Sequence, residues 1–305
     1  MVAPPRIGPL RIGTRGSPLA LAQARLVADA LRAAHGWGED AIEIVPIATS
    51  GDVIQDRPLA EVGGKALWTK ELDACLIEGR TDVSVHSMKD VETIRPPELG
   101  IAAVLPRGET SDRLIGADSL AALPPGARVG TSSPRRTAQL LARRPDLEVV
   151  PIRGNIQTRL ARVERGEVDA TILAAAGLAR LGIEAGVWLD WLPAPAQGAI
   201  GVDILWARED IRLLVDAIDH RPSHGSVRTE RLFLEALGGD CRSAVAARAQ
   251  DGGVMVLTAE ILSPDGREVQ RVEMDLYTSR LATPADVAQL LLERASPALR
   301  AMFGR

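Results

Sequence analysis

The chain has 305 residues, of which 46% are hydrophobic and 25% are charged, and its formal net charge is −4. This composition is typical of a globular protein of two or three domains, and it argues against a disordered chain and against a general nucleic-acid binder. The apolar runs are too short to cross a membrane, the first residues lack the apolar stretch of a signal peptide, and two cysteines are too few for a disulfide scaffold. We therefore expect a cytoplasmic protein.

Strands and helices alternate over the first 174 residues in two successive units. The first unit is predicted to contain a strand at 10–15, a helix at 19–34, a strand at 41–48, a loop at 50–64, a helix at 65–78 and strands at 82–86 and 99–105. The second is predicted to contain strands at 127–130, 147–152 and 169–174 and helices at 134–144 and 155–166. This alternation indicates parallel sheets, which bind ligands at the carboxyl ends of their strands.

The remaining residues complete the first unit and add a third. A crossing segment at 193–198 leads into a strand at 199–205, a helix at 208–218 and a linker at 220–223. A helix at 225–237, strands near 244–249, 254–262 and 267–276, and a helix at 284–303 then indicate a small α+β domain. The predicted fold class is α/β, with two periplasmic-binding-protein-like domains around a cleft (1–105 with 197–220, and 106–196) and a C-terminal α+β domain (221–305).

At three places, which we call corners, a predicted strand ends in arginine and small polar residues just as a helix begins. The segments are Arg11–Pro18, Val129–Arg136 and Val149–Asn155, the last followed by Arg159. Helix N-termini attract anions through their free N–H groups and the helix dipole, and guanidinium groups add bidentate recognition of carboxylates and phosphates. Residues 128–165 hold nine arginines, although some of these are equally well explained as solvated helix faces. The pattern predicts a small ligand with many negative charges.

Two further residues carry candidate chemistry. Cys241 lies in a glycine-rich turn beside an arginine, which favours a nucleophilic thiolate, but a small buried cysteine without a role fits equally well. Asp90, at a strand end beside Lys89, is either a general acid or cation-stabilising carboxylate, or simply a turn former. Cys75 and His86 are expected to be structural, and no cysteine and histidine cluster has metal-ligand spacing, so we expect no metal site.

Together these segments resemble the porphobilinogen deaminase family. Two strings are specific to it: His86–Asp90, which reads HSMKD, and Gly130–Arg136, which reads GTSSPRR. The other matching stretches follow in the family's order and span most of the chain: Arg11–Leu21, Thr49–Asp52, Val62–Glu71, Asp82–Val91, Arg153–Arg159, Asp169–Gly182, Gln197–Asp203 and Gly239–Cys241.

The resemblance implies a transferase of tetrapyrrole biosynthesis. Such an enzyme joins four porphobilinogen molecules head to tail, releases ammonia at each addition and finally frees hydroxymethylbilane. The resemblance also implies a dipyrromethane cofactor that serves as primer, is attached through a thioether to Cys241, and reacts with the assistance of Asp90. It assigns the cofactor's acetate and propionate arms to Lys89, Thr131, Ser132, Ser133, Arg135 and Arg136. It assigns substrate binding to Arg15, Ser17, Arg153, Arg159, Arg180 and Lys65.

Two other interpretations stay open. A solute-binding protein with twin α/β domains is the main alternative, although it leaves Cys241 unexplained. An RNA-binding protein that uses the arginines of residues 128–165 is the second, and it predicts a steep salt dependence of RNA affinity. The chain departs from the family at Glu61, where relatives carry a basic residue, and at Ala244, near which they often carry proline. We expect a monomer whose partner is a small-molecule substrate, with no nucleic-acid or membrane partner.

Overall fold

The computed structural model describes residues 8–49, 69–240, 243–276 and 282–304. The chain divides into two compact units. Unit 1 is Met1–Arg107 with Ala199–His224, and unit 2 is Gly108–Gly198 with Gly225–Arg305. The division into three domains with the boundaries given above stays a prediction.

In chain order the described residues form thirteen strands and nine α-helices. The strands are β1 (Leu10–Arg15), β2 (Ile42–Ile47), β3 (Val83–Ser87), β4 (Leu99–Val104), β5 (Asp112–Ile115), β6 (Arg128–Gly130), β7 (Glu148–Val150), β8 (Ala170–Ala174), β9 (Val187–Leu189), β10 (Ile200–Leu205), β11 (Val245–Asp251), β12 (Met255–Leu262) and β13 (Val269–Asp275). The helices are α1 (Pro18–His35), α2 (Lys70–Ile77), α3 (Pro134–Arg143), α4 (Ile156–Glu164), α5 (Ala175–Arg180), α6 (Glu209–Asp216), α7 (Arg221–Leu237), α8 (Pro284–Arg294) and α9 (Pro297–Ala301). Two short 3-10 turns, Glu39–Ala41 and Met88–Asp90, precede β2 and follow β3.

Unit 1 is built on a five-stranded sheet in the order β2-β1-β3-β10-β4. β1 pairs in parallel with β2 and β3, whereas β10 runs antiparallel to both β3 and β4. Since side chains alternate between the faces of a strand, β10 presents Val202 and Ile204 to one face and Asp203 to the other. The apolar face packs on α1 and α6 in one buried cluster, which includes Ile12, Val27, Leu31, Val85, Val202, Ile204, Ile211 and Val215.

Unit 2 contains a second five-stranded sheet, in the order β7-β6-β8-β5-β9. β6 pairs in parallel with β7 and β8, and β5 runs antiparallel to β8 and β9. The two sheets therefore share one topology, in which a strand from a distant part of the chain inserts antiparallel between the third and last strands. The predicted α/β class is confirmed, but β5, β9 and the short helix α5 were missing from the prediction.

The rest of unit 2 is a three-stranded antiparallel sheet, β11-β12-β13, with α7, α8 and α9. Phe233 of α7, Leu257 of β12 and Leu291 of α8 lie in its buried core, which confirms the predicted small α+β region. The predicted linker at 220–223 is wrong, because residues from Arg221 onward form the first turn of α7. None of the helices in the described part of the chain is long and apolar enough to cross a membrane.

The single C-terminal helix predicted at 284–303 is also wrong, because α8 ends at Arg294 and α9 begins at Pro297. Ser296 caps the second helix by accepting a hydrogen bond from Leu299 N, and proline at the first helical position cannot continue the hydrogen bonding of α8. The Ser296-Pro297 pair is thus a helix start signal that a continuous apolar pattern concealed.

Three contacts join the C-terminal sheet to α3. Gln139 Nε2 donates to Glu260 Oε1 at 3.0 Å, and Ala138 packs in a buried cluster with Ala244 and Leu262. At the β12–β13 turn, a Cβ on Gly266 would lie only 2.3 Å from the backbone nitrogen of Ala142 in α3. The backbone of this turn therefore approaches the helix as closely as only glycine allows.

The Gly266→Ala variant is expected to lose about 2–5 kcal/mol of unfolding free energy. An alanine at its φ of +70° costs about 1–2 kcal/mol, and the clash with α3 adds about 1–3 kcal/mol of overpacking. Gly253→Ala is the matched control, because Gly253 lies in the other turn of the same sheet at φ +94° with nothing within 4 Å of a Cβ. Urea unfolding of both variants measures the difference, and equal losses would show that the contact with α3 contributes nothing.

Candidate functional site

In unit 1, the predicted site residues gather at one edge of the sheet. β1 and β3 are adjacent and parallel, with Ile12 level with Val83 and Gly13 level with Ser84. Their carboxyl ends therefore lie side by side, and the chain leaves them through Arg15–Ser17 and Ser87–Asp90. This is the edge at which parallel α/β sheets bind ligands.

Ser17 and Pro18 begin α1 as the sequence predicts. The Ser17 hydroxyl accepts a hydrogen bond from Ala20 N at 3.3 Å, and Pro18 occupies the first helical position. Arg15, the last residue of β1, is half-buried directly before this helix N-terminus. The first of the three predicted anion-binding corners thus has the local structure that was expected of it.

Asp90 ends the 3-10 turn that follows β3. Met88 anchors the turn, since its side chain is 1% exposed, and Lys89 and Asp90 are half-buried. Among the described residues, no hydrogen bond or ion pair engages the Asp90 carboxylate. An unpaired carboxylate at the binding edge of the sheet is available to a cationic group of a ligand.

His86 and Cys75 are buried in unit 1, as their expected structural roles require. His86 lies in β3, and burial lowers the pKa of its imidazole, which keeps the ring neutral. Cys75 lies in α2 beside Leu72 and Leu76, and burial raises the pKa of its thiol. Neutral, buried side chains of this kind contribute to packing more than to chemistry.

Unit 2 has a corresponding edge at the carboxyl ends of β6, β7 and β8. Thr131, Ser132 and Ser133 link β6 to α3, and Ser133 caps the helix by accepting from Arg136 N at 3.4 Å. Ser132 Oγ donates to the carbonyl oxygen of Ile152 at 2.7 Å, which ties the β6 and β7 exits together. The second predicted corner is therefore a capped helix N-terminus at the binding edge of this sheet.

The third corner follows β7. Asn155 caps α4 by accepting a hydrogen bond from Thr158 N at 2.9 Å, and Arg159 Nε donates to the carbonyl oxygen of Gly154 at 3.0 Å. Gly154 has a φ of +105°, so the turn into α4 requires glycine. Arg153 and Arg159 are both half-buried beside this helix start.

Arg135 and Arg136 turn inward from the start of α3 to a carboxylate that the sequence analysis missed. Asp112 of β5 is fully buried, with Arg135 Nη2 2.8 Å from Oδ2 and Arg136 Nη2 2.7 Å from Oδ1. Trp191 Nε1 and Gln197 Nε2 also donate to it, each at 2.9 Å. Burial alone would raise the pKa of Asp112, but the two guanidiniums hold it far below its usual range.

Each of these arginines also has one N–H group that donates no hydrogen bond to a described residue. The Nε atoms of Arg135 and Arg136 are buried and have no hydrogen-bond partner among the described residues. A buried donor without an acceptor costs about 1–3 kcal/mol, so an acidic ligand that reached these atoms would remove an existing penalty.

Arg180 is a half-buried cation of unit 2. Its Nη2 donates to the carbonyl oxygen of Gly198 at 2.5 Å, and burial lowers the pKa of its guanidinium to about 10. No carboxylate pairs with it in the part of the chain that the structure describes. A desolvated guanidinium without an anionic partner is suited to a ligand carboxylate.

Lys65 and Cys241 lie outside the described residues. Of the other predicted site residues, the structure brings Arg15, Ser17, Lys89 and Asp90 together at the edge of unit 1. It brings Thr131, Ser132, Ser133, Arg135, Arg136, Arg153 and Arg159 to the strand ends of unit 2, whereas Arg180 is the last residue of α5. The described ranges contain no cluster of three or more histidine, cysteine or acidic side chains that could hold a metal.

Comparison with known proteins connects both units to one enzyme family. Residues 10–213 match the model of the dipyrromethane cofactor binding domain of porphobilinogen deaminase, and residues 225–295 match that of its C-terminal domain. A porphobilinogen deaminase of Sphingopyxis alaskensis is 52% identical over 307 residues, covering 97% of this chain and 96% of that protein. One of Paracoccus denitrificans is 48% identical over 296 residues, covering 94% of this chain and 95% of that protein.

Solved structures give a weaker likeness. A nutrient binding protein from Burkholderia cenocepacia bound to methionine has a TM-score of 0.43 and 14% identity, and the match covers 68% of this chain and 91% of that one. A likeness of this size supports no inference. The two family matches and the relatives at about half identity do, and by them the chain belongs to the porphobilinogen deaminase family.

Proposed function

We propose that the chain catalyses the reaction that gives its family its name. It joins four porphobilinogen molecules head to tail on a dipyrromethane primer, releases one ammonia per addition, and frees the linear tetrapyrrole hydroxymethylbilane. The observation that carries this proposal is the Asp90 carboxylate at the binding edge of unit 1, which has no partner among the described residues, in a chain that matches the family model of a cofactor binding domain.

The donors at the edge of unit 2 fit the acidic arms of a dipyrromethane. The orphaned Nε–H groups of Arg135 and Arg136 need acceptors, and the N-terminus of α3 favours negative charge. Carboxylates satisfy both requirements. We therefore propose that Arg135 and Arg136 hold the cofactor with Thr131, Ser132, Ser133 and Lys89.

The cofactor supplies the free pyrrole carbon to which the chain of pyrroles is joined. We propose that Cys241 carries it through a thioether. The flanking turn supports this role, because Asp240 N donates to Ser243 Oγ at 3.1 Å and Ser243 N to Asp240 O at 3.0 Å. Ala244, which follows this turn, packs in one cluster with Ala138 of α3.

Asp90 is the catalytic residue of this proposal. As the substrate's carbon–nitrogen bond breaks, the amine leaves and positive charge develops on the pyrrole. The Asp90 carboxylate stabilises that charge, and no described residue pairs with it in competition. It also holds the pyrrole N–H, which keeps the reacting carbon oriented for the new carbon–carbon bond.

We assign substrate capture to five cationic side chains and the hydroxyl of Ser17. Porphobilinogen carries two carboxylates, and Arg15, Ser17, Arg153, Arg159, Arg180 and Lys65 are the proposed partners. Arg180 is one example, because partial burial lowers the pKa of its guanidinium and a ligand carboxylate would favour the charged form again.

Incubation of the purified protein with porphobilinogen tests the proposal. We expect four porphobilinogen molecules consumed and four ammonia molecules released for each linear tetrapyrrole that appears. A solute-binding protein would instead bind the substrate stoichiometrically without releasing ammonia, and that result would contradict the proposal. The cytoplasmic location, the monomeric state and the cleft between the α/β domains stay predictions.

A further inference from the structure

A buried arginine lies five residues beyond Asp90, in the irregular segment between β3 and β4. Arg95 Nη1 and Nη2 donate to the two carboxylate oxygens of Asp73 at 3.0 and 2.6 Å, and Nη2 also donates to Asp203 Oδ2 at 2.5 Å. Only 9% of the Arg95 side chain is exposed, and none of the Asp203 side chain is. A charged cluster so far from water keeps its geometry only if each member is paired.

The partners of Arg95 lie on two rigid elements. Asp73 belongs to α2 and Asp203 to β10, the strand at the centre of the pairing between β3 and β4. The bidentate geometry with Asp73 fixes the plane of the guanidinium, which a single hydrogen bond would not do. The segment from 91 to 98 forms no strand or helix that could pair with the sheet, so this cluster holds it there.

β10 also holds the other side of the Asp90 turn. A Cβ on Gly201 would lie 2.0 Å from the Met88 sulfur, so the Met88 side chain rests directly on the backbone of that strand. Gly201 and Asp203 are two residues apart and face the same side of the sheet. One face of β10 therefore contacts the chain two residues before Asp90 and, through Arg95, five residues after it.

A second polar contact also holds the segment from 91 to 98 in place. Thr69 Oγ1, directly before α2, donates to Glu92 Oε2 at 2.8 Å, and Arg95 Nη1 lies 3.5 Å from the same oxygen. Glu92 is only two residues from Asp90. The segment after the turn is thus joined to α2 at two points, at Glu92 and at Arg95.

We propose that Arg95 is a positioning residue for Asp90, acting through Asp73 and Asp203 to hold the 3-10 turn in its place at the sheet edge. This inference rests on the proposed catalytic role of Asp90. Arg95 touches no reacting atom in this scheme. Removal of the Arg95 side chain is expected to let the turn and the Asp90 carboxylate move from their positions. A displacement of about 1 Å in a catalytic group costs up to about 100-fold in rate.

Steady-state kinetics of Arg95→Gln and Arg95→Lys test the proposal, with turnover expressed per primed molecule from the intact mass. We expect a kcat lower by about 10- to 100-fold for Arg95→Gln with a KM within about threefold of the parent, and partial rescue in Arg95→Lys. Amide hydrogen exchange at Val91, whose N–H donates to Met88 O at 3.3 Å, is expected to be faster in Arg95→Gln. Arg208→Gln is the matched control, because it removes another arginine–aspartate pair of unit 1, with Asp82, and is expected to leave kcat unchanged.

If Arg95→Gln does not fold, the neutral triple variant Arg95→Gln/Asp73→Asn/Asp203→Asn replaces it, since it leaves no buried charge of this trio unpaired. A parental kcat and unchanged Val91 exchange in whichever variant folds would overturn the inference. Asp90→Asn, measured alongside, separates the two claims. A slow Asp90→Asn with a normal Arg95 variant overturns the positioning role alone, whereas a fully active Asp90→Asn overturns the proposed function of Asp90 and the inference with it.

Discussion

Asp112→Asn is expected to lower the free energy of unfolding by about 3–5 kcal/mol, the loss usual when one member of a buried ion-pair cluster is removed. Asp112 is fully buried between the guanidiniums of Arg135 and Arg136. An amide at this position keeps the shape but leaves two buried cations without their counter-ion. Urea unfolding of the variant and the parent measures the loss.

Asp146→Asn is the control for this variant, because Asp146 pairs with Arg144 at 2.7 Å on the surface of the same unit. A surface ion pair is screened by water, so the control is expected to unfold almost as the parent does. Similar losses in the two variants would contradict the central role of Asp112.

The free energy of unfolding at low pH provides a second comparison of the parent with Asp112→Asn. The pKa of Asp112 in the folded chain lies below that of an unfolded aspartate, so its contribution is present above about pH 4 and is lost as the pH falls further. Asp112→Asn has no such proton to take up. Its stability is therefore expected to fall less steeply below about pH 4 than that of the parent.

Asp90→Asn is expected to lower kcat by about 100-fold or more while the protein remains folded and primed. An asparagine has nearly the same shape, but it carries no charge with which to stabilise the cation that develops as ammonia leaves. Loss of one such electrostatic group costs about 10²- to 10³-fold in other enzymes. Single-turnover measurements of ammonia release give the effect on the chemical step.

Asp40→Asn is the matched control for that experiment. Asp40 is an exposed aspartate in the other 3-10 turn of unit 1, which precedes β2 and so lies at the amino end of the parallel strands β1, β2 and β3. It is expected to retain parental turnover. A near-parental rate in Asp90→Asn would remove Asp90 from the chemistry.

Local signals in the sequence located two helices that begin with a hydroxyl cap and proline, although the same signal at Ser296-Pro297 was overlooked. Ser17-Pro18 and Ser133-Pro134 start α1 and α3 where expected, because a hydroxyl cap followed by proline suits only a helix N-terminus. The prediction also missed β5, whose sequence does not by itself indicate a strand. β5 is a four-residue strand that starts with an aspartate, and its place in the sheet depends on partners more than 50 residues away.

Because β5 was missed, the sequence did not predict the buried carboxylate of the site. The sequence indicated correctly that Arg135 lies near a helix start at the carboxyl end of a strand. Without β5 it could not show that Asp112 sits beneath that arginine. The available signal was an aspartate close to two large apolar residues, in Asp112-Arg113-Leu114-Ile115, because an acid inside a sheet requires cationic partners. Arg95 carried no comparable signal, since its partners lie on α2 and β10.

The intact mass of the purified protein tests the central claim most directly. Protein from cells that make porphobilinogen is expected to exceed its sequence mass by one dipyrromethane, and Cys241→Ser is expected to lose the whole excess. Cys75→Ser is the matched control, because Cys75 is a buried thiol of α2, and it is expected to keep the excess. An unmodified parent, or an excess that survives in Cys241→Ser, would contradict the account.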